Sequence, residues 1–165
     1  MINAILACDD KGGIGKDGTL PWPKQSEDLA YFKRMTDAQT VVMGSSTWQS
    51  KGMPKPLPGR KNVVVTLHPE QHPGADLYLP RKNSGIIDDL RKLEDWHQLT
   101  PVWIIGGAKL ITEIFLAIDR FYLSRIPGDY DCDTFLPLDR IESAFHRTVV
   151  STGEQATYET WYRKS

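Results

Sequence analysis

The chain has 165 residues, of which 40% are hydrophobic and 25% charged, and its formal net charge is -1. That is the size and balance of a single globular domain with a real core. A near-neutral chain has no broad electrostatic pull on nucleic acid or anionic membrane, so neither is expected as a partner. Its two cysteines, Cys8 and Cys132, lie far apart and fit no metal spacing, which suggests a reducing, cytoplasmic setting.

The apolar run Ile2 to Cys8 is short and has no basic region before it, so it reads as a buried strand and not as a signal peptide. No apolar stretch approaches the length of a membrane span. Ser26 is placed to cap a helix running to Thr36, with Glu27 and Asp28 in its first turn. Thr40 to Met43 reads as a second strand ending at Gly44, and Thr47 to Ser50 as a short helix. Lys51 to Gly59 is rich in proline and glycine and must be a loop. Asn62 to Thr66 reads as a third strand and Leu77 to Leu79 as a fourth. Next come a helix over Ile86 to Trp96, a strand over Pro101 to Ile105, a helix over Ala108 to Ala117 and a strand over Phe121 to Ile126. Ala144 to Ser151 and Thr157 to Arg163 look like a terminal antiparallel pair. Strands alternating with helices, followed by a late run of strands, imply an α/β fold: a mixed sheet covered by helices on both faces.

Asp28 is the residue most suggestive of chemistry. An acid in a first helical turn suits the helix dipole, and Glu27 fits that reading well. Asp28 fits it less well, because Phe32 and Met35 share its face. A carboxylate facing apolar side chains is costly unless something pairs with it, and a flat cationic or amidine-like heterocycle is a natural partner. Just upstream, Trp22 stands between two prolines, either as a core plug or as a group that positions a water beside a ligand.

Gly13-Ile14-Gly15-Lys16-Asp17-Gly18 has the spacing of a dinucleotide fingerprint. That fingerprint needs a helix to open inside it, and Thr19-Leu20-Pro21-Trp22-Pro23 follows instead. The segment reads as a glycine-rich loop, either plain surface or one that closes over a ligand. Val102 to Ile105, then Gly106-Gly107, then a helix can hold a phosphate on free backbone N–H groups, or can simply start a helix after a tight turn. Met43-Gly44-Ser45-Ser46-Thr47-Trp48 repeats that pattern, with the same choice between an anion site and ordinary caps. Arg60 after Leu57-Pro58-Gly59 is a carboxylate clamp or a surface arginine. His68, His72, His97 and His146 fit no metal template. Asp129, Asp131 and Asp133 lack the glycine and distal glutamate of a calcium loop and read as a solvated turn.

Taken in order, these segments resemble dihydrofolate reductase over nearly the whole chain. The resemblance rests on Gly13-Ile14-Gly15, Leu20-Pro21-Trp22, Asp28 with Phe32-Lys33, and Met43-Gly44 with Thr47-Trp48. It continues through Pro56-Leu57-Pro58-Gly59-Arg60, Ile105-Gly106-Gly107-Ala108, Leu123-Ser124-Arg125-Ile126 and Asp133-Thr134-Phe135. It implies one domain over residues 1–165, with a mainly parallel eight-stranded sheet, an antiparallel C-terminal edge and about four flanking helices.

The implied activity is NADPH-dependent reduction of 7,8-dihydrofolate to 5,6,7,8-tetrahydrofolate, by a monomer that also binds antifolate-type molecules. By the same resemblance, Asp28 holds the pterin, Ser124 supports it, and Trp22 positions a water. Ile5, Ala7, Leu20, Phe32, Leu57, Arg60 and Ile105 complete the substrate side, with Arg60 on the glutamate α-carboxylate. Ala7, Ile14, Gly15, Gly44, Ser45, Ser46, Thr47, Thr66 and Leu67 fall to the cofactor. So do Gly106, Gly107, Ala108, Lys109 and Leu110, with a cis bond between Gly106 and Gly107.

The chain departs from the pattern at Ser45, where the family often carries Arg or Lys against the 2′-phosphate. Lys109, Arg81, Lys82 and His68 are candidates to compensate. One lost phosphate contact costs about 1.5–3 kcal/mol, enough to narrow the preference over NADH by one to two decades. The loop Lys51 to Lys55 is longer than in compact bacterial forms, and Ile111 replaces a frequent Tyr. Two rivals stand against this reading. One is the same-fold pyrimidine reductase of riboflavin synthesis, which lacks the Trp22 and Asp28 pairing. The other is a pterin- or nucleotide-binding module without turnover.

Overall fold

Valine- and isoleucine-rich runs supply the central strands, and the computed structural model describes residues 1–81, 85–96 and 100–165. The strands are Ile2–Cys8 (β1), Gly13–Gly15 (β2), Thr40–Gly44 (β3), Lys61–Thr66 (β4), Leu77–Pro80 (β5), Val102–Gly106 (β6), Arg120–Arg125 (β7), Thr134–Phe135 (β8), Phe145–Thr152 (β9) and Thr157–Arg163 (β10). The helices among the described residues are Ser26–Thr36 (α1), Ser45–Trp48 (α2), Ile86–Trp96 (α3), Ala108–Glu113 (α4) and Leu138–Ala144 (α5). Eight strands form one sheet in the order β5-β4-β3-β6-β1-β7-β10-β9. Its pairs are parallel from β5 to β7, and β10 runs antiparallel to both β7 and β9. This is the mixed sheet that the strand and helix alternation implies.

The central strands are continuous apolar runs because both faces of the sheet are covered. Successive residues divide between two cores, as the strand period of two requires. Val42, Val63, Val65 and Ile104 join Leu90 of α3 and Leu110 and Ile111 of α4. Val41, Met43, Val64 and Trp103 turn to the opposite face, where Tyr31, Phe32 and Met35 of α1 pack on them. Burying one such side chain stabilises the fold by about 1.5–3 kcal/mol. The α1 helix is therefore held by its apolar stripe.

The structure differs from the sequence reading in several places. Gln25, not Ser26, occupies the cap position of α1, with no side-chain capping bond. The segment Ala108 to Ala117 divides, because α4 ends at Glu113 and Phe115–Ala117 tightens into a 3-10 turn. The short helix after β3 starts at Ser45, directly on Gly44. The α5 helix has only seven residues, too few to show a helical period. Gly13–Gly15 is not a free loop but pairs with Thr134–Phe135 in a separate two-stranded sheet.

Candidate active site

The acid, the apolar pocket and the glycine turns all depend on the carboxyl ends of the central parallel strands. Asp28 lies in the first turn of α1, half-buried, on the helix side that Phe32 and Met35 share. Burial pushes its carboxyl above the ordinary value, hydrogen bonding from the Ser124 hydroxyl opposes this, and the neighbouring Glu27 charge adds to the rise. Ser124 stands on β7, opposite Ala7 of β1 and Tyr158 of β10. Trp22 is buried among Ile126, Cys132 and Ala156, with Ala7 and Tyr158 against the same cluster. Its ring meets Tyr130 edge-on at 5.7 Å. Trp22 is therefore packed into the neighbourhood of Ala7.

Ile5, Phe32, Leu57 and Ile105 share one apolar cluster. Leu20 stands apart from it, 51% exposed. Arg60 is fastened near Phe32: its Nε donates to the Pro58 carbonyl at 2.9 Å and its Nη1 to Thr36 Oγ1 at 3.3 Å. The guanidinium carbon sits 5.7 Å from the Phe32 ring centroid. The loop carrying it is stapled by buried Asn62, which accepts the Leu57 N–H at 2.9 Å and donates to the carbonyls of Leu57 and Arg60, both at 3.0 Å. Sequence reasoning missed Asn62, because nothing local marks a strand-start amide as a loop anchor.

On the other side, the turns after β3 and β6 meet. The Gly106–Gly107 bond is cis, as the resemblance implies. Gly106 has φ +132°, and a Cβ there would lie 2.9 Å from Thr47 Oγ1; one at Gly107 would lie 3.2 Å from Ser46 Oγ. Only bare backbone leaves room for this approach. Gly44, Ser45, Ser46, Gly107, Lys109 and Leu110 line a cavity of about 250 Å³, and so does Arg81. Arg81 Nη2 lies 3.4 Å from Glu113 Oε1. Its Nη1 is buried with no hydrogen-bond partner among the described residues. Of the residues weighed to offset Ser45, Arg81 and Lys109 are thus brought to this cavity, and Lys82 lies outside the described residues, as does His97.

Several predicted residues are elsewhere. Leu67 is 64% exposed. The Thr66 hydroxyl accepts the His68 N–H at 3.0 Å, and its carbonyl accepts the Arg81 N–H at 3.4 Å. Thr66 therefore supports Arg81 and does not line the cavity itself. Ile14 packs on the core cluster of the opposite face, and Ile111 is fully buried there. A larger cavity of about 430 Å³ lies on the outer side of α1, lined by Ala30, Arg34, Val149 and Ser151 among others. It is remote from the glycine turns and includes neither Asp28 nor Phe32.

The loop between β1 and α1 is tethered more firmly than its glycines suggest. Buried Asp9 accepts the backbone N–H groups of Gly13 at 2.8 Å, Lys11 at 2.9 Å and Tyr130 at 3.1 Å, with Cys132 Sγ at 3.5 Å. Burial pushes the Asp9 carboxyl up, but these backbone bonds outweigh it and leave a net downward shift. The aspartates at 129, 131 and 133 are exposed, as a solvated turn requires, and each also has a partner across the loop. Asp129 pairs with Lys11 at 2.9 Å and Asp131 with Lys16 at 3.0 Å, while Asp133 accepts the Asp17 N–H at 2.9 Å. No cluster able to hold a metal occurs among the described residues.

A parallel-cored sheet that carries an acid beside an apolar cluster and a glycine-walled cavity lined by Arg81 and Lys109 has the architecture of a two-ligand α/β oxidoreductase. The family model for dihydrofolate reductase matches residues 1–163. The dihydrofolate reductase of Bacillus subtilis is 37% identical over 138 residues, covering 83% of this chain and 76% of that protein. Dihydrofolate reductase type 8 of Escherichia coli is 31% identical over 169 residues, covering 99% of this chain and 96% of that one. A solved structure of dihydrofolate reductase from Enterococcus faecalis, complexed with NADP(H) and RAB-propyl, superposes with a TM-score of 0.79 at 28% identity, covering 100% of this chain and 97% of that one. The chain belongs to the dihydrofolate reductase family, whose members are NADPH-dependent oxidoreductases.

Proposed function

We propose that the protein reduces 7,8-dihydrofolate to 5,6,7,8-tetrahydrofolate with NADPH, acting as a cytoplasmic monomer that supports one-carbon and thymidylate metabolism. Dihydrofolate and antifolate-type molecules are its partners, not nucleic acid or membrane. No described helix is long and apolar enough to cross a membrane. Asp28 carries the reading. It is a half-buried carboxylate on an apolar helix face, its pKa raised chiefly by burial, and Ser124 is its hydrogen-bonding side chain. Such a group is costly unless a ligand satisfies it. A pterin presents an amino group and a ring N–H side by side, which matches both carboxylate oxygens.

The other roles are those the family resemblance implies. Ile5 and Ile105 offer backbone carbonyls to the pterin, Ala7 adjoins it, Phe32 and Leu57 pack on the aromatic rings, and Arg60 holds the tail carboxylate. Gly44, Ser46, Thr47, Gly106, Gly107, Ala108, Lys109 and Leu110 hold the pyrophosphate side of the cofactor. The residues fit a phosphate-bearing nucleotide, since Arg81 and Lys109 bring cationic side chains to the cavity lining where Ser45 brings none. Arg81 and Lys109 take the 2′-phosphate.

NADPH, when bound, supplies the hydride. The chain's own work is to hold the pterin, exclude water and favour a proton at N5. Asp28 acts on N5 through its charge, and a water beside Trp22 delivers the proton. Activity therefore falls as pH rises.

Dihydrofolate-dependent oxidation of NADPH, followed by near-ultraviolet absorbance, tests this directly. Turnover is expected with the unaltered chain. Asp28→Asn is expected to lower kcat/KM by about 10²–10³-fold while the protein stays folded and still binds NADPH. Unimpaired turnover in that variant removes Asp28 from its role. No turnover from folded, unaltered protein turns the reading towards the pyrimidine reductase or the binding module.

A further inference from the structure

The first turn of α1 carries two adjacent acids with different partners. Asp28 is served by Ser124. Glu27 faces the turn that joins β9 to β10. One Glu27 oxygen accepts the Tyr158 hydroxyl at 2.9 Å and the other accepts the Glu154 N–H at 3.0 Å. The Glu27 backbone N–H donates to Gln155 Oε1 at 3.0 Å. The approach is close enough that a Cβ on Gly153 would fall 1.8 Å from Glu27 Oε1. An acid that only complemented the helix dipole would need none of these partners.

These bonds close a ring around the site. Tyr158 stands opposite Ser124 in the β10–β7 ladder. Ser124 hydrogen-bonds Asp28, and Asp28 follows Glu27 in the chain. Tyr31, one turn along α1, packs its ring 4.6 Å from that of Tyr158 and braces the same contact. The β9–β10 turn is thus clasped to the helix start that carries the acid, and the strand that carries the acid's hydroxyl partner is clasped with it.

We infer that Glu27 is a positioning residue for the reaction: its clasp on the β9–β10 turn fixes where the Asp28 carboxylate stands against Ser124. The inference rests on the role proposed for Asp28. Glu27 also acts through charge. Burial is the largest influence raising the Asp28 pKa, Ser124 opposes it, and Glu27 is the charged group that adds to it. The phenols that sense Asp28 are Tyr31 on α1 and Tyr158 on β10. Burial pushes both upward, Tyr31 to about 12, so both are neutral at working pH.

The test is the pH profile of kcat/KM for dihydrofolate, with NADPH affinity and melting temperature measured alongside. Glu27→Gln removes the charge, so the descending limb of the profile should move to lower pH. Tyr158→Phe keeps the charge and removes one bond, so the limb should stay while kcat falls about three- to tenfold and NADPH affinity holds. Unaltered protein without turnover overturns the proposed function itself. If the unaltered protein turns over normally and both variants match it within about twofold at every pH, Glu27 has no positioning role. A loss in both variants that follows a lowered melting temperature, with the limb unmoved in Glu27→Gln, makes Glu27 a structural tie only and likewise overturns the inference.

Discussion

The Asp28 side of the site is built from side chains held by other side chains, whereas the Gly106 side is built from backbone left bare. On the first side, Asn62 staples the loop of Arg60, Thr36 and Phe32 fix the guanidinium, and Ser124 meets the acid. On the second, Gly44, Gly106 and Gly107 let two chain turns approach until a Cβ on Gly106 or Gly107 would meet the hydroxyls of Thr47 and Ser46 first. The contrast matches what each side is proposed to recognise. A planar heterocycle with one polar edge needs a shaped apolar wall and one ionised anchor. A phosphate needs many donors at short range, and unobstructed peptide N–H groups supply them.

The largest expected effect on ligand binding strikes the bare side. Gly106→Ala places a Cβ 2.9 Å from Thr47 Oγ1 on a residue with φ +132°. Strain of about 2 kcal/mol at such a position corresponds to roughly thirtyfold weaker NADPH binding. Fluorescence titration of both ligands measures it, and dihydrofolate affinity should change little. An equal loss for both ligands would mean that the two sides are one mechanical unit and would break the comparison.

Arg81→Ala should act more narrowly. Removing this cation from the cavity lining should raise KM for NADPH about tenfold, close to 1.4 kcal/mol, and leave KM for NADH almost unchanged. Steady-state rates with both cofactors check this. A parallel loss with NADH would mean that Arg81 merely braces α4 through Glu113.

The two sides were also unequally legible. Asp28 with Phe32 and Met35 lies within one helical stretch, and Ile105-Gly106-Gly107 joins a strand to a helix, so local pattern sufficed for both. Arg81 could be named in the sequence as a candidate, but its arrival at the cavity depends on the parallel β4–β5 pairing, which sets Thr66 opposite Pro80. That pairing links segments whose sequences carry no mark of one another. Asn62 and Asp9 are similar, since each anchors a loop through backbone groups that any residue could provide. The aspartates at 129, 131 and 133 are exposed, as the sequence suggests, but their partners, Lys11, Lys16 and the Asp17 N–H, lie far away in the chain and leave no local mark. Glu27 fitted a simpler local explanation, the helix dipole, which concealed its long-range one.

The smallest expected effect sharpens the comparison through stability. A carboxyl whose pKa is raised in the folded state binds protons more tightly there than in the unfolded chain, where Asp titrates near 3.8. Folding stability therefore falls as pH rises from that value through the raised folded one. Asparagine does not titrate. Asp28→Asn should then melt a few degrees above the parent at pH 7, with the gap closing as pH is lowered towards 4. Ser46→Ala, on the side built without a buried charge, should keep a constant offset from the parent over the same range. Thermal melts across pH read both. A parent that melts as high as Asp28→Asn at every pH would mean that Asp28 is already satisfied inside the protein. Its claim to a ligand rests on the opposite.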